Sequence, residues 1–272
     1  MTMTCPLLKA LSVLSLNCNG NRDQPKHAGL VQWLRSLPVC VDIVCLQETH
    51  CLSLFECSLW FQSSGFSFAL SCGSVHSCGC VVIFRPSLSL VNSWGDDDGR
   101  YLQCEVMFCG KSFRVCCIYA PSRNPACDQF FYDLWAKVDP LVPTILCGDF
   151  NAVFDRSVDR FGSDPSYVSH ESFSSLQDLF DACCTVDIWR YLHPSSSTFF
   201  WTRWDGSCAS RIDLCGIPYV WVSSVLSCDL LPCLSLTIVV SSLLSRSRML
   251  SHLAPVCGSS IFLSCRSRRM SV

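Results

Sequence analysis

The sequence predicts an α/β protein in which two stacked mixed sheets are flanked by helices. Three observations lead there. Short apolar stretches of period two are interspersed with stretches of helical spacing. Many predicted strands follow one another with no helix between them, which argues for antiparallel or mixed pairing. The chain has 272 residues, half of them hydrophobic, enough to bury a large core in one big domain or two small ones.

The elements follow in order. "LSVLSLNCNG" alternates and turns at Asn19-Gly20, so it reads as a first strand. "HAGLVQWLRSL" places Leu30, Val31, Leu34 and Leu37 at helical spacing. "VDIVCLQET" and "CGCVVIFRP" read as buried strands, the second stopped by Pro86. "YLQCEVMFCGKSFRVCCIYAP" reads as a hairpin around Cys109-Gly110. "CDQFFYDLWAKV" is a helix, and "PTILCGDFN" is a short buried strand. "SHESFSSLQDLFDACC" is a helix with Ser169 as its N-cap. "STFFWTRW" and "SRIDLCGI" are strands again, with Trp201 and Trp204 packed in the core. "WGDDDGR" reads as a solvated hairpin turn, since the spacing of an EF-hand is absent.

Composition narrows the class. Charged residues make up 15% and the formal net charge is −2, so nucleic-acid contact would need a local basic face. The 23 cysteines contain no pair at CxxC spacing, which removes the common zinc-ribbon and thioredoxin signatures. Their odd number, in a chain rich in core residues, fits free buried thiols in a reducing compartment, nucleus or cytoplasm. "PLLKALSVLSL" is broken by Lys9 and predicts no signal peptide. Leu230–Leu244 is too short for a membrane span and contains Pro232.

Several buried-looking strands end in polar side chains: Asn17, Glu48, Tyr119, Asp149 with Asn151, and Asp213. Strand ends are where a sheet holds a site rigidly while the loops stay open. Taken alone, each has a bland reading as a turn, a cap or a packing residue. Taken together they form an oxygen-rich set suited to Mg²⁺, a hard ion that neutralises charge on a phosphate. A tyrosine hydroxyl can donate to a phosphate oxygen.

"LNCNG", "DIVCLQETH", "RVCCIYAP", "LCGDFNAVFD" and "SRIDL" resemble, in order, the motifs of the endonuclease/exonuclease/phosphatase superfamily. More closely they resemble the apurinic-endonuclease-like domain of LINE-type (non-LTR) retrotransposons, from about Leu11 to about Cys233. "VDIWRYLHP" and "WTRWDGSCASRIDL" strengthen that likeness. The resemblance implies a four-layer α/β sandwich, one Mg²⁺ and a nick in DNA that primes reverse transcription. It implies Glu48 as principal metal ligand with Asn17 beside it, and Tyr119 on the phosphate. Asp149 would activate the nucleophile, Asn151 would hold the phosphate, and Asp213 would support a catalytic histidine. Thr198 and Ser210 resemble secondary phosphate contacts, and Arg203 and Arg123 are loop candidates for DNA phosphates. DNA is the expected partner of a monomer normally fused to a reverse transcriptase, which is absent from this chain.

The family closes with Ser-Asp-His. At the corresponding position this chain has Leu236, Thr237 and Ile238, none of which moves a proton or ligates a metal strongly. All 22 acidic residues lie before residue 230, and the remainder is serine-rich. Written TCT-CTG-ACC-ATT, Ser235–Ile238 conceals TCT-GAC-CAT, Ser-Asp-His, in another frame. The expectation is therefore an endonuclease domain over 1–234, followed by an aberrant, poorly ordered tail over 235–272. It is a frameshifted copy with little nicking activity. The alternatives are a true divergent strand at the same place, a non-catalytic DNA-binding remnant, or a phosphatase of the same superfamily.

Overall fold

The computed structural model describes residues 10–37, 41–61, 65–123, 126–162, 171–231 and 235–240. Ser169, expected as an N-cap, lies outside them, as does the tail beyond 240. Lys9–Leu243 forms one compact unit of the chain.

Alternation fixes the strands. They are β1 (Leu11–Asn17), β2 (Ile43–Gln47), β3 (Ser67–Ser71), β4 (Cys80–Phe84) and β5 (Ser89–Gly95). After them come β6 (Tyr101–Phe108), β7 (Lys111–Tyr119), β8 (Thr144–Asp149), β9 (Arg160–Phe161) and β10 (Thr185–Asp187). The last five are β11 (Trp201–Thr202), β12 (Ala209–Ser210), β13 (Asp213–Pro218), β14 (Ser227–Leu231) and β15 (Ser235–Val240). The helices are α1 (Gln24–Ser36), α2 (Leu54–Phe61), α3 (Ala126–Trp135), α4 (Arg156–Asp159), α5 (Glu171–Ala182) and α6 (Ile188–Leu192).

One six-stranded sheet runs β14-β15-β1-β2-β4-β3 and the other β10-β13-β8-β7-β6-β5. Both are mixed: β1 with β2, and β7 with β8, are parallel, and the other pairs are antiparallel. A small third sheet runs β11-β12-β9.

Period two divides each strand between two cores. On the first sheet Leu14, Val44, Leu46, Val81 and Ile83 pack against Leu34 of α1 and Cys57 and Phe61 of α2. On the second, Cys116, Ile118, Leu146 and Leu214 pack against Phe131 of α3 and Leu179 and Phe180 of α5. The intervening residues, among them Val13, Cys45, Val82, Val115, Cys117 and Cys147, are buried where the two sheets meet. Gln47 Nε2 crosses that interface to donate to Cys117 Sγ at 3.2 Å. The order helix, sheet, sheet, helix is the expected four-layer sandwich.

Three local readings are corrected. "STFFWTRW" is strand only over Trp201–Thr202. Trp201 and Trp204 are 43% and 92% exposed, because the hairpin joining β11 to β12 has no layer over it to receive alternating side chains. "SRIDLCGI" is two strands, not one. The chain breaks at Arg211 and Ile212 to pass from the small sheet to the large one. The turn at "WGDDDGR" is not wholly solvated: Asp96 Oδ1 accepts the backbone N–H groups of Arg100 (2.8 Å) and Tyr101 (2.9 Å) and the Ser71 hydroxyl (3.0 Å).

Strand pairing also runs past residue 234. β15 lies between β1 and β14, with Leu236 opposite Ser15, Thr237 opposite Leu14 and Ile238 opposite Val13. Leu, Thr, Ile and Val suit a pleated surface, whatever else their sequence encodes.

Candidate active site

The site lies where the inward-facing rows of four strands end. On β1 the row Leu11, Val13, Ser15 ends at Asn17, and on β7 the row Phe113, Val115, Cys117 ends at Tyr119. On β8 the row Ile145, Cys147 ends at Asp149. The row of β13 starts at Asp213, whose register partner is Asp149. Each side chain is therefore aimed by the alternation that buries its apolar neighbours.

Glu48 is placed differently. Gln47 is already the inward residue of β2, so an extended chain would turn Glu48 outward. Glu48 instead takes φ 48°, a left-handed conformation uncommon for glutamate. That kink brings its carboxylate back, and Asn17 Nδ2 donates to Glu48 Oε1 at 2.9 Å. The same amide group donates to Asp149 Oδ2 at 3.0 Å, so Asn17 bridges the two acids. Asn151, at φ 47°, completes the turn after β8: its backbone N–H donates to Asp149 Oδ1 at 2.9 Å and its Nδ2 to Ala120 O at 2.8 Å.

The acids share a confined space. Burial above all, with the charge of Glu48 adding to it, pushes Asp149 up to about 6 against the bonds from Asn151 and Asn17. Asp213 is pushed well above the carboxylate range by burial and then by Asp149. Burial, then the charge and hydrogen bond of Glu48, also lift the Tyr119 hydroxyl, so it stays a donor at neutral pH. Among the described residues no group of three or more His, Cys, Asp and Glu is arranged to hold a metal ion. A cation here would rest on Glu48 and keep most of its shell as water, because Asn17 turns its Nδ2 donor toward the acids while its Oδ1 accepts from Asn19 N at 2.9 Å. That suits Mg²⁺, which dehydrates reluctantly.

Asn17, Glu48, Tyr119, Asp149, Asn151 and Asp213 thus gather in one place. The other four candidates sit on other segments. Thr198 shares a hydrogen bond with Ser196 in the loop after α6. Ser210 is buried on β12. Arg203 pairs with Asp205 at 3.6 Å in the β11–β12 hairpin. Arg123 is exposed, and its carbonyl accepts from Cys127 N at the start of α3.

Two neighbours escaped the sequence reading. The Arg100 guanidinium lies 5.1 Å from the centre of the Tyr119 ring and donates to Tyr119 O at 3.4 Å. His50 Nε2 lies 3.9 Å from Glu48 Oε2, and its ring lies so close to Gly20 that a Cβ there would stand 3.0 Å from Nδ1. Arg100 sits inside a turn that looked solvated, so no signal marked it. His50 was visible only as the last letter of "LQETH".

A two-sheet α/β sandwich that collects carboxylates, amides and a tyrosine at one end of its strands defines a class of protein. Residues 14–256 match the model of the Endonuclease/Exonuclease/phosphatase family, and the chain belongs to that family. A relative in Xenopus laevis, the transposon TX1 uncharacterized 149 kDa protein, is 30% identical over 214 residues. That match takes in 75% of this chain but only 16% of the relative, so the chain spans a small part of it. Among solved structures, the AP endonuclease LMAP of Leishmania major superposes with a TM-score of 0.67 at 17% identity, covering 86% of this chain and 88% of its own. The endonuclease domain of TRAS1, a telomere-specific non-LTR retrotransposon, superposes with a TM-score of 0.58 at 11% identity, covering 85% and 98%. No helix among the described residues is long and apolar enough to cross a membrane.

Proposed function

We propose that this chain is a metal-dependent DNA phosphodiesterase domain of the non-LTR retrotransposon type, in a copy with little or no nicking activity. The cluster of Asn17, Glu48 and Asp149 carries the reading, because it joins a candidate metal ligand to a candidate base through one amide. The transposon relative and the TRAS1 neighbour favour DNA over the phosphatase alternative.

Bound at Glu48, which Asn17 orients through its amide N–H, Mg²⁺ would neutralise negative charge on the scissile phosphate. Asp149 is held at both oxygens, by Asn17 and Asn151, and is oriented to take a proton from the attacking water. Its pKa of about 6 leaves it mostly ionised at pH 7, so it can act as a base. Tyr119 donates to a phosphate oxygen, and Arg100 beside it adds positive charge to a chain that is acidic overall. In place of Ser-Asp-His the chain carries apolar and hydroxyl residues that no proton can use. Losing a general acid or base typically costs ~10²–10⁴-fold in rate.

Plasmid nicking in Mg²⁺ tests this, with the chain compared against a version whose reading frame is corrected just upstream of residue 235. The corrected chain should nick, Glu48→Ala should silence it, and the present chain should be at least ~10²-fold slower. Equal, Glu48-dependent nicking by both would refute the inactive copy. No nicking by the corrected chain would refute the endonuclease reading itself.

A further inference from the structure

The Glu48 carboxylate has a neighbour that the proposed reaction leaves unused. His50 Nε2 lies 3.9 Å from Glu48 Oε2. That nitrogen is buried and, among the described residues, has no hydrogen-bond partner. Two other histidines differ: both ring nitrogens of His27 are bonded, to Asn21 and to Trp60 O, and His193 Nε2 is bonded to Cys228 O. A buried ring nitrogen without a partner needs a reason. The fold also holds it firmly in place. Glu48 and His50 both take left-handed backbone, φ 48° and φ 58°, on either side of Thr49. Their segment is clamped from two sides. The N–H groups of Gly20 and Asn21 donate to the carbonyls of Glu48 (2.7 Å) and Thr49 (3.1 Å). Those of Thr49 and His50 donate to the carbonyls of Gly79 (3.0 Å) and Cys78 (2.9 Å). The imidazole rests against Gly20, where a Cβ would stand 3.0 Å from Nδ1 and 3.1 Å from Cε1, so a side chain there would push the ring from its place.

We propose that His50 Nε2 is a second protein ligand for the cation at Glu48, and that it makes the site prefer a first-row transition ion to Mg²⁺. This rests on Glu48 as the metal ligand of the proposed function. Two donors bonded to one ion at about 2.1 Å stand roughly 3 Å apart when adjacent and about 4.2 Å apart when opposite, and the observed 3.9 Å lies in that interval. Mg²⁺ keeps oxygen ligands and water, whereas first-row transition ions take imidazole nitrogen, Mn²⁺ least tightly of them. The same separation would also suit a plain ion pair between a protonated His50 and Glu48. The two roles predict opposite effects of removing the ring. Loss of a ligand weakens binding of the transition ion, whereas loss of a competing positive charge strengthens binding of every cation.

Mn²⁺ is the probe, because tighter-binding ions would also be drawn to the exposed thiols Cys72, Cys109 and Cys184. The full chain is titrated with Mn²⁺, the free ion is followed by its electron paramagnetic resonance signal, and Mg²⁺ affinity is read from displacement. Electron spin-echo modulation of the bound Mn²⁺ then reports whether a nitrogen is bonded to it. The wild type should bind Mn²⁺ more tightly than Mg²⁺ and show nitrogen modulation. His50→Gly, which suits a left-handed backbone, should lose the modulation and at least about tenfold in Mn²⁺ affinity, with Mg²⁺ affinity nearly unchanged. Glu48→Gln should bind neither ion well. Bound Mn²⁺ without nitrogen modulation in the wild type overturns the His50 role, and that spectrum needs no variant. Modulation that persists in His50→Gly, or tighter binding of both ions by it, overturns the role as well. No Mn²⁺ binding by the wild type, or binding that Glu48→Gln leaves intact, overturns instead the reading of Glu48 as the metal ligand.

Discussion

Asp149 shows how much one residue gives up for a site. Its pKa is raised from 3.8 to about 6, so between those values the folded chain holds a proton that the unfolded chain has released. Stability therefore falls as pH rises from about 4 to about 6, by roughly 3 kcal/mol in all. Asp149→Asn should lessen that slope to what Asp213 contributes, raise the melting midpoint of the metal-free protein at pH 7, and abolish any nicking. Melting curves across pH 4–7 check it; an unchanged slope would mean that another group titrates. Mg²⁺ should raise the midpoint of the wild type and not that of Glu48→Ala. At this scale the sequence was informative, because Asn17, Tyr119, Asp149 and Asp213 each end or begin a row of inward residues. The left-handed turn that redirects Glu48 was not legible, since nothing in "LQET" announces a positive φ.

Between residues and the whole fold, the small sheet is fastened by a buried charge cluster. Arg211 is fully buried; its Nε and Nη2 donate to Asp159 at 2.7 and 3.0 Å, and Nη2 also donates to Asp187 at 2.6 Å. Arg190 of α6 joins Asp159 as well. The cluster binds the end of α4, the start of α6 and the break between β12 and β13, two residues before Asp213. Burial raises the Asp159 pKa, but its bonds to Arg211 and Arg190 outweigh it and the net shift is downward. The stability this contributes is present above the unfolded carboxylate range and is lost as the pH falls through the lower folded value. Arg211→Met leaves buried acids underpaired and should cost about 3–5 kcal/mol in denaturant unfolding. Arg211→Lys keeps the charge without the fork and should fall in between. Gly148 is a second element-scale constraint. At φ +144° a Cβ there would stand 1.9 Å from Ile118 O, so Gly148→Ala should prevent soluble expression unless β7 and β8 separate. The strands themselves were legible from alternation. The core placement of Trp201 and Trp204 was misread, because alternation shows that a face exists but not that anything covers it.

For the whole molecule the open matter is the end of the first sheet. β15 gives β1 its antiparallel partner and separates it from β14. A chain ending at Leu231 would leave β1 as an unprotected edge and should aggregate, whereas one ending at Val240 should melt as the full chain does. Light scattering and melting curves of the two truncations decide this. Loss of stability in the longer one would show that residues past 240 contribute to the fold, against an aberrant tail. An apolar segment without the family's Ser-Asp-His can still serve here, since a strand demands β-propensity and a site demands particular atoms. The folded sheet and the missing Ser-Asp-His are thus compatible.

The sequence by itself determined the layered α/β class, most strands, and the polar residues at their ends, because all of these follow from local periodicity. It also shows that the string Ser-Asp-His occurs nowhere in the chain. Only the tertiary structure decided that Asn17 bridges Glu48 and Asp149, that Arg100 stacks on Tyr119, and that Arg211 lies buried between two acids. Each of those depends on groups far apart in the chain, held at distances that the pairing of two sheets sets and no local pattern records.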